Sequence, residues 1–164
     1  MLLDLSGERR VREAYRDLAN RFPGLMTGVL VQPMARRGTE LFAGVVQDAV
    51  FGPLVLFGLG GTAAEGLADH AARLAPLTDH DIHDLITAPR CAALLFGYRG
   101  SDPADVRGLE QLPARLSPMA CDLPQLTDAD LNPVVARPDG VTVLDARIRL
   151  TARRRHDPYL RRLR

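Results

Sequence analysis

No lysine occurs in this sequence: all 21 of its basic residues are arginine. The chain therefore has no ε-amine with which to form a Schiff base, accept an acetyl group or grip a phosphate in the manner of a P-loop. Tryptophan is absent as well, and aromatic residues make up only 5%. Cysteine is limited to Cys91 and Cys121. These two have no metal-ligand spacing and sit in apolar stretches, so both are expected to be reduced core residues, with nothing in favour of a disulfide. No apolar run approaches the roughly 20 residues that cross a bilayer. The start, Met1-Leu2-Leu3-Asp4, lacks the long apolar stretch of a secretory signal. With a formal net charge of +1, no global field favours nucleic acid or membrane as a partner. The expectation is a cytoplasmic protein that uses neither.

The 164 residues suit one domain, with 46% hydrophobic and 25% charged residues, enough to bury roughly 70% of the surface that the unfolded chain exposes. Val11, Ala14, Tyr15, Leu18 and Ala19 form the stripe of an amphipathic helix over 8–20, capped at Ser6 or Gly7 and stopped by Phe22-Pro23-Gly24. Strands are expected over 28–34, 41–47, 54–57 and 72–77. Thr78 caps a helix whose apolar face is Ile82, Leu85 and Ile86, ended by Pro89. Another helix starts at Asp102-Pro103 and carries Val106, Leu109, Leu112 and Leu116, with a bend or break at Pro113. Strands cluster early and late, with helices between them. That pattern predicts an α+β fold with a largely antiparallel sheet covered by helices.

Two stretches carry the chemistry. The acidic turn Thr127-Asp128-Ala129-Asp130 leads through Leu131-Asn132-Pro133 into the apolar strand Val134-Val135-Ala136. Pro138-Asp139-Gly140 is a turn, because Pro presets φ and Gly accepts positive φ. The run from Gly140 to Arg147 returns beside it as a β-hairpin. Counting back from the turn places Asn132 and Asp145 on neighbouring strands, facing one cleft. An amide oxygen and a carboxylate are hard ligands of the kind Mg²⁺ takes. The same spacing also fits an Asn that makes a turn and an Asp that caps a strand end. The second stretch is the end of the strand over 54–57, Gly58-Leu59-Gly60-Gly61-Thr62. Its glycines read either as a tight turn or as backbone approaching a ligand. It is neither a P-loop nor a dinucleotide fingerprint.

Other features have a bland reading beside the sharp one. His80 and His83, with Asp79, Asp81 and Asp84, can hold a metal or simply form an acidic helix start. Arg99 in Gly97-Tyr98-Arg99-Gly100 can take a phosphate or a structural salt bridge, and Tyr98 reads as core. The basic stretch 151–164 reads as a solubilising tail.

Seven short segments in order resemble a known family: Gly38-Thr39-Glu40, Phe51-Gly52-Pro53, Phe57-Gly58-Leu59-Gly60-Gly61, Arg73-Leu74-Ala75-Pro76-Leu77, Gly97-Tyr98-Arg99-Gly100, Asp130-Leu131-Asn132-Pro133 and Leu144-Asp145-Ala146-Arg147-Ile148. The chain is similar to the ATP-grasp domain of NDP-forming acyl-CoA synthetases, relatives of the succinyl-CoA synthetase β subunit. The resemblance runs over residues 1–150 and covers the domain's second subdomain. It implies Mg²⁺ and ATP or ADP as cofactors. Asn132 and Asp145 match the Mg²⁺ ligands, Asp130 the acidic position that meets a phosphohistidine, Glu40 a carboxylate at the nucleotide cleft, and Gly60 and Gly61 the glycine loop near the transferring phosphate. The implied partners are the other half of the ATP-grasp domain, which carries the phosphate-gripping lysine, and the CoA-binding domain, in the same chain or in a partner subunit. Self-association through surface left uncovered by that half is a further expectation. Some such domains resemble the synthetase-like, ligand-sensing part of a GNAT-type acetyltransferase, which is the alternative reading.

Overall fold

Arg9, Arg12 and Arg21 each find a carboxylate four residues away along α1 (Gly7–Arg21), at 3.1 Å from Glu13, 2.7 Å from Glu8 and 2.9 Å from Asp17. Such pairs support a helix whose own face buries little; only Ala14 is buried in it. The computed structural model describes residues 2–61 and 68–152, in two compact units that divide between Arg36 and Arg37. The strand expected over 28–34 does not form: Val29, Leu30, Val31 and Met34 lie in irregular, exposed backbone. An apolar run becomes a strand only where a sheet edge accepts its backbone hydrogen bonds, and these residues pair with no strand among the described residues.

The second unit is built on β1 (Thr39–Asp48), in which Leu41, Ala43 and Val45 are fully buried. With a side-chain period of two, Glu40, Phe42, Gly44 and Val46 take the opposite face. β2 (Gly52–Leu59) returns antiparallel beside β1, and β3 (His70–Leu74) pairs with the far edge of β2. Thr78 then accepts the Asp81 N–H while the Asp81 carboxylate accepts the Thr78 N–H, a reciprocal cap that starts α2 (Asp79–Thr87). Residues of the 91–96 stretch form the single turn α3 (Ala92–Leu95). The next helix, α4 (Val106–Asp122), starts later than expected, at the cap Asp105, whose carboxylate accepts the Gly108 N–H.

Pro113 does not break α4; the helix continues through it and through Pro118. Leu109, Pro113, Leu116 and Ala120 form one buried face at helical spacing. The ring of Pro113 is fully buried there, and that apolar burial offsets the lost amide hydrogen bond. Together with Leu85 and Ile86 of α2, this face covers the Leu41–Ala43–Val45 side of the sheet. A fully buried leucine or phenylalanine such as Leu85 or Phe57 contributes about 1.5–3 kcal/mol by leaving water.

The last three strands are β4 (Leu126–Arg137), β5 (Gly140–Val143) and β6 (Ala146–Leu150). The sheet order is β3-β2-β1-β4-β5, with β6 also on β4 and every pairing antiparallel. The hairpin at Pro138-Asp139 forms as expected, from Arg137↔Gly140 to Val134↔Val143. The acidic turn expected over 127–130 does not. Asp128, Ala129 and Asp130 are strand residues, paired with Val46, Val45 and Gly44 on one side and with Arg149, Ile148 and Arg147 on the other. Their backbone groups are satisfied by two neighbouring strands, which outweighs the local turn preference of aspartate.

Candidate functional site

One edge of β4 serves two partners in succession. β5 pairs with its residues 134–137 and β6 with residues 126–131, so Asn132 and Pro133 stand where the partner changes. The chain crosses that point in the other direction at Leu144 and Asp145. The Asn132 N–H donates to the Asp145 carbonyl at 3.2 Å, and the Leu144 N–H donates to the Pro133 carbonyl at 3.0 Å. The Asn132–Pro133 peptide is cis. Neighbouring backbones thus set Asn132 and Asp145 side by side, with Asp145 in the break between β5 and β6 and not on a continuous hairpin strand as the spacing predicted. Asp145 is exposed, and one of its carboxylate oxygens accepts the Ala146 N–H at 2.9 Å.

The glycine stretch arrives at the same place from β2. The Gly60 N–H donates to the Glu40 carbonyl at 3.0 Å. A Cβ on Gly60 would collide with the backbone of Leu41, so no other residue fits. Gly61 takes φ +65°, and a Cβ there would collide with the Glu40 carboxylate. Its N–H donates to the Asn132 side-chain oxygen at 3.1 Å. This bond also orients the Asn132 amide, since only its oxygen can accept. Glu40, Gly60, Gly61, Asn132 and Asp145 are therefore one cluster. Asp130 lies two residues along β4 from Asn132, exposed, on the face opposite the core residue Ala129. Among the described residues neither Glu40 nor Asp130 forms an ion pair. Thr62 and Glu65 lie outside the described residues.

The far side of the glycine stretch is anchored by Asp69, a residue that motif reading passed over. Its carbonyl accepts the Leu59 N–H at 2.9 Å, and its carboxylate accepts the N–H groups of Arg90 at 2.8 Å and Cys91 at 2.6 Å. Desolvation pushes the Asp69 carboxyl upward, but these donated hydrogen bonds outweigh it and hold the group below the usual carboxylate range. Burial, and then the Asp69 charge, push the Cys91 thiol up to about 12, so it is an inert core group. Cys91 is buried and free, as expected; Cys121 is free but exposed, not a core residue.

The remaining candidates separate from this cluster. His80 faces Asp84 at 3.8 Å and His83 faces Glu110 at 3.4 Å, each a surface pair. No three His, Cys, Asp or Glu side chains among the described residues converge as a metal cage. Arg99 lies over the Tyr98 ring, 5.3 Å from its centroid, and Tyr98 is half exposed rather than core. The stretch 153–164 lies outside the described residues.

Residues 1–150 match the model of the ATP-grasp domain. The chain belongs to the ATP-grasp family, within the ADP-forming acyl-CoA synthetases. It is 36% identical to an ADP-forming acetate–CoA ligase of Archaeoglobus fulgidus over 87% of its length, and 32% identical to the β subunit of such a ligase from Pyrococcus furiosus over 89%. It spans 22% of the first protein and 65% of the second. The acetyl-coenzyme A synthetase 1 of Candidatus Korarchaeum cryptofilum, solved with coenzyme A and Mg-AMPPCP, superposes with a TM-score of 0.82 at 37% identity, covering 92% of this chain and 67% of that one. The antiparallel sheet backed by helices is thus the fold of an ATP-grasp subdomain. No helix among the described residues is long and apolar enough to cross a membrane.

The ATP-grasp cluster suits a metal that arrives with its nucleotide. Asn132, on β4, and Asp145, between β5 and β6, offer hard oxygens, too few to enclose an ion but enough for Mg²⁺, which keeps waters and phosphate oxygens among its ligands.

Proposed function

We propose that this chain is the Mg²⁺–nucleotide-binding part of an NDP-forming acyl-CoA synthetase, which passes a phosphoryl group between nucleotide and a phosphocarrier histidine during interconversion of acyl-CoA and acyl phosphate. The observation that carries the reading is the bond from the Gly61 N–H to Asn132, which joins the glycine loop to the hairpin holding Asp145. Asn132 and Asp145 hold Mg²⁺; the backbone of Gly60 and Gly61 lies against the transferring phosphate; Glu40 lines the nucleotide cleft; Asp130 meets the phosphohistidine. Bound there, Mg²⁺ neutralises phosphate charge.

Phosphoryl transfer needs positioning and charge stabilisation more than a strong base, and a glycine loop tied by its own hydrogen bonds to rigid strands provides the positioning. The lysine-bearing half of the ATP-grasp domain and a CoA-binding domain complete the enzyme. The chain alone binds nucleotide weakly and catalyses little or no ligation. No observation favours the acetyltransferase-linked alternative.

The test is an NMR titration of the chain with Mg-ADP. Shifts centred on Gly61, Asn132 and Asp145, lost in Asn132→Ala and Asp145→Ala variants that remain folded, are expected. Unchanged affinity in both variants refutes the assignment, and robust acyl-CoA synthesis by the chain alone refutes the division of labour.

A further inference from the structure

β6 sets two like rungs against β4. Arg149 lies opposite Asp128 and Arg147 lies opposite Asp130. Residues directly opposite in an antiparallel pair share a face, with Cβ atoms about 4.5–5.5 Å apart. The chemistry of the two rungs is identical, yet they behave differently. Arg149 closes on Asp128 at 3.1 Å. Arg147 is exposed and forms no ion pair or side-chain hydrogen bond with any described residue, and neither does Asp130. The open rung is the one nearer Asn132. It stands on the sheet face that carries Asp130, two residues from Asp145 along the chain.

We propose that Arg147 is the protein cation that receives the phosphoryl oxygens at this site, an assignment that rests on the Mg-nucleotide reading above. Glu40, Asp130 and Asp145 by themselves repel a polyphosphate. Gly60 already spends its N–H on Glu40, and Gly61 spends its N–H on Asn132. In a chain without lysine, a guanidinium must supply whatever fixed positive charge this subdomain brings. The planar fork of arginine meets two phosphate oxygens at once. Among the described residues the Arg147 guanidinium is tied to no carboxylate, although Asp130 stands opposite it, whereas Arg149 is already paired with Asp128.

The experiment titrates Mg-ADP into isotope-labelled wild-type chain and into Arg147→Gln, Arg147→Lys and Arg149→Gln variants. Amide shifts and the Arg147 side-chain Nε–H resonance are followed to millimolar nucleotide. Loss of one charge-assisted contact is expected to weaken Arg147→Gln about tenfold. Arg147→Lys should recover part of the loss, and Arg149→Gln should stay within about twofold of wild type, since its contact is with Asp128. The side chain of Arg147 is exposed, so the variants should keep the wild-type pattern of core amide shifts. Equal affinity of Arg147→Gln and wild type overturns the assignment. So does equal weakening by Arg147→Gln and Arg149→Gln, which would mark a general effect of charge. A wild-type chain that shows no response to Mg-ADP overturns the nucleotide reading itself, and the assignment falls with it.

Discussion

Replacing Gly60 with alanine should destabilise this protein more than replacing Gly61, although Gly61 is the residue with positive φ. At Gly60 the new Cβ meets the carbonyl oxygen, carbonyl carbon and Cα of Leu41. Leu41 is fully buried in β1, paired with Leu59 and Val134, so its backbone cannot yield. The overlap must be relieved by moving the glycine stretch, which also breaks the bond from the Gly60 N–H to Glu40. Overpacking costs about 1–3 kcal/mol and the lost hydrogen bond about 1 kcal/mol, so roughly 2–4 kcal/mol in all. At Gly61 the conformational cost of φ +65° is about 1–2 kcal/mol. The atom in the way there is the end of the exposed Glu40 side chain, which can swing aside. Urea denaturation of Gly60→Ala, Gly61→Ala and Glu40→Ala/Gly61→Ala measures all three. The double variant should match Gly61→Ala within about 0.5 kcal/mol. A Gly60→Ala variant no less stable than Gly61→Ala would refute the steric reasoning.

Two further outcomes follow from the anchor beneath the glycine stretch. The folded Asp69 carboxyl lies below its ordinary range, so between the folded value and the ordinary one, roughly 3.9, the unfolded chain binds more protons. Its contribution is therefore fully present above that ordinary value and fades as pH falls through the folded one. Asp69→Asn should flatten, without abolishing, the acid limb of stability measured by urea denaturation against pH, because Asp48 and Asp81 are also held low; an unchanged acid limb would deny Asp69 this role. Alkylation should likewise divide the cysteines. With its thiol pushed up to about 12 and its side chain buried, Cys91 should react only after unfolding, whereas exposed Cys121 should react in the folded protein, and peptide mass spectrometry would show any inversion of that order.

Elements with local causes were legible in the sequence. Thr78 and Asp81 satisfy each other's backbone N–H groups within four residues, and Pro138-Asp139-Gly140 turns the chain with no outside help. Elements that depend on a neighbour were not. Residues 28–34 have the apolar content of a strand but pair with no strand among the described residues. Asp128-Ala129-Asp130 has the composition of a turn and two edges that hold it straight. Pro113 breaks isolated helices, yet its buried ring belongs to the face that α4 packs on the sheet. Tyr98 has the composition of a core residue but lies half exposed beneath Arg99.

The same division runs through the site. Sequence alone determined which chemical groups are available: hard oxygens at Asn132 and Asp145, glycines at Gly60 and Gly61, and no lysine anywhere. The order of the short motifs determined the family. Tertiary structure decided which of these groups meet. Gly61 and Asn132 lie 71 residues apart in sequence, and their bond exists only because β2 and β4 flank β1 on opposite edges. It also decided that Arg149 pairs with Asp128 while Arg147 pairs with no carboxylate among the described residues. Composition states how many charges a chain carries, but only the strand register determines which charges stand opposite each other.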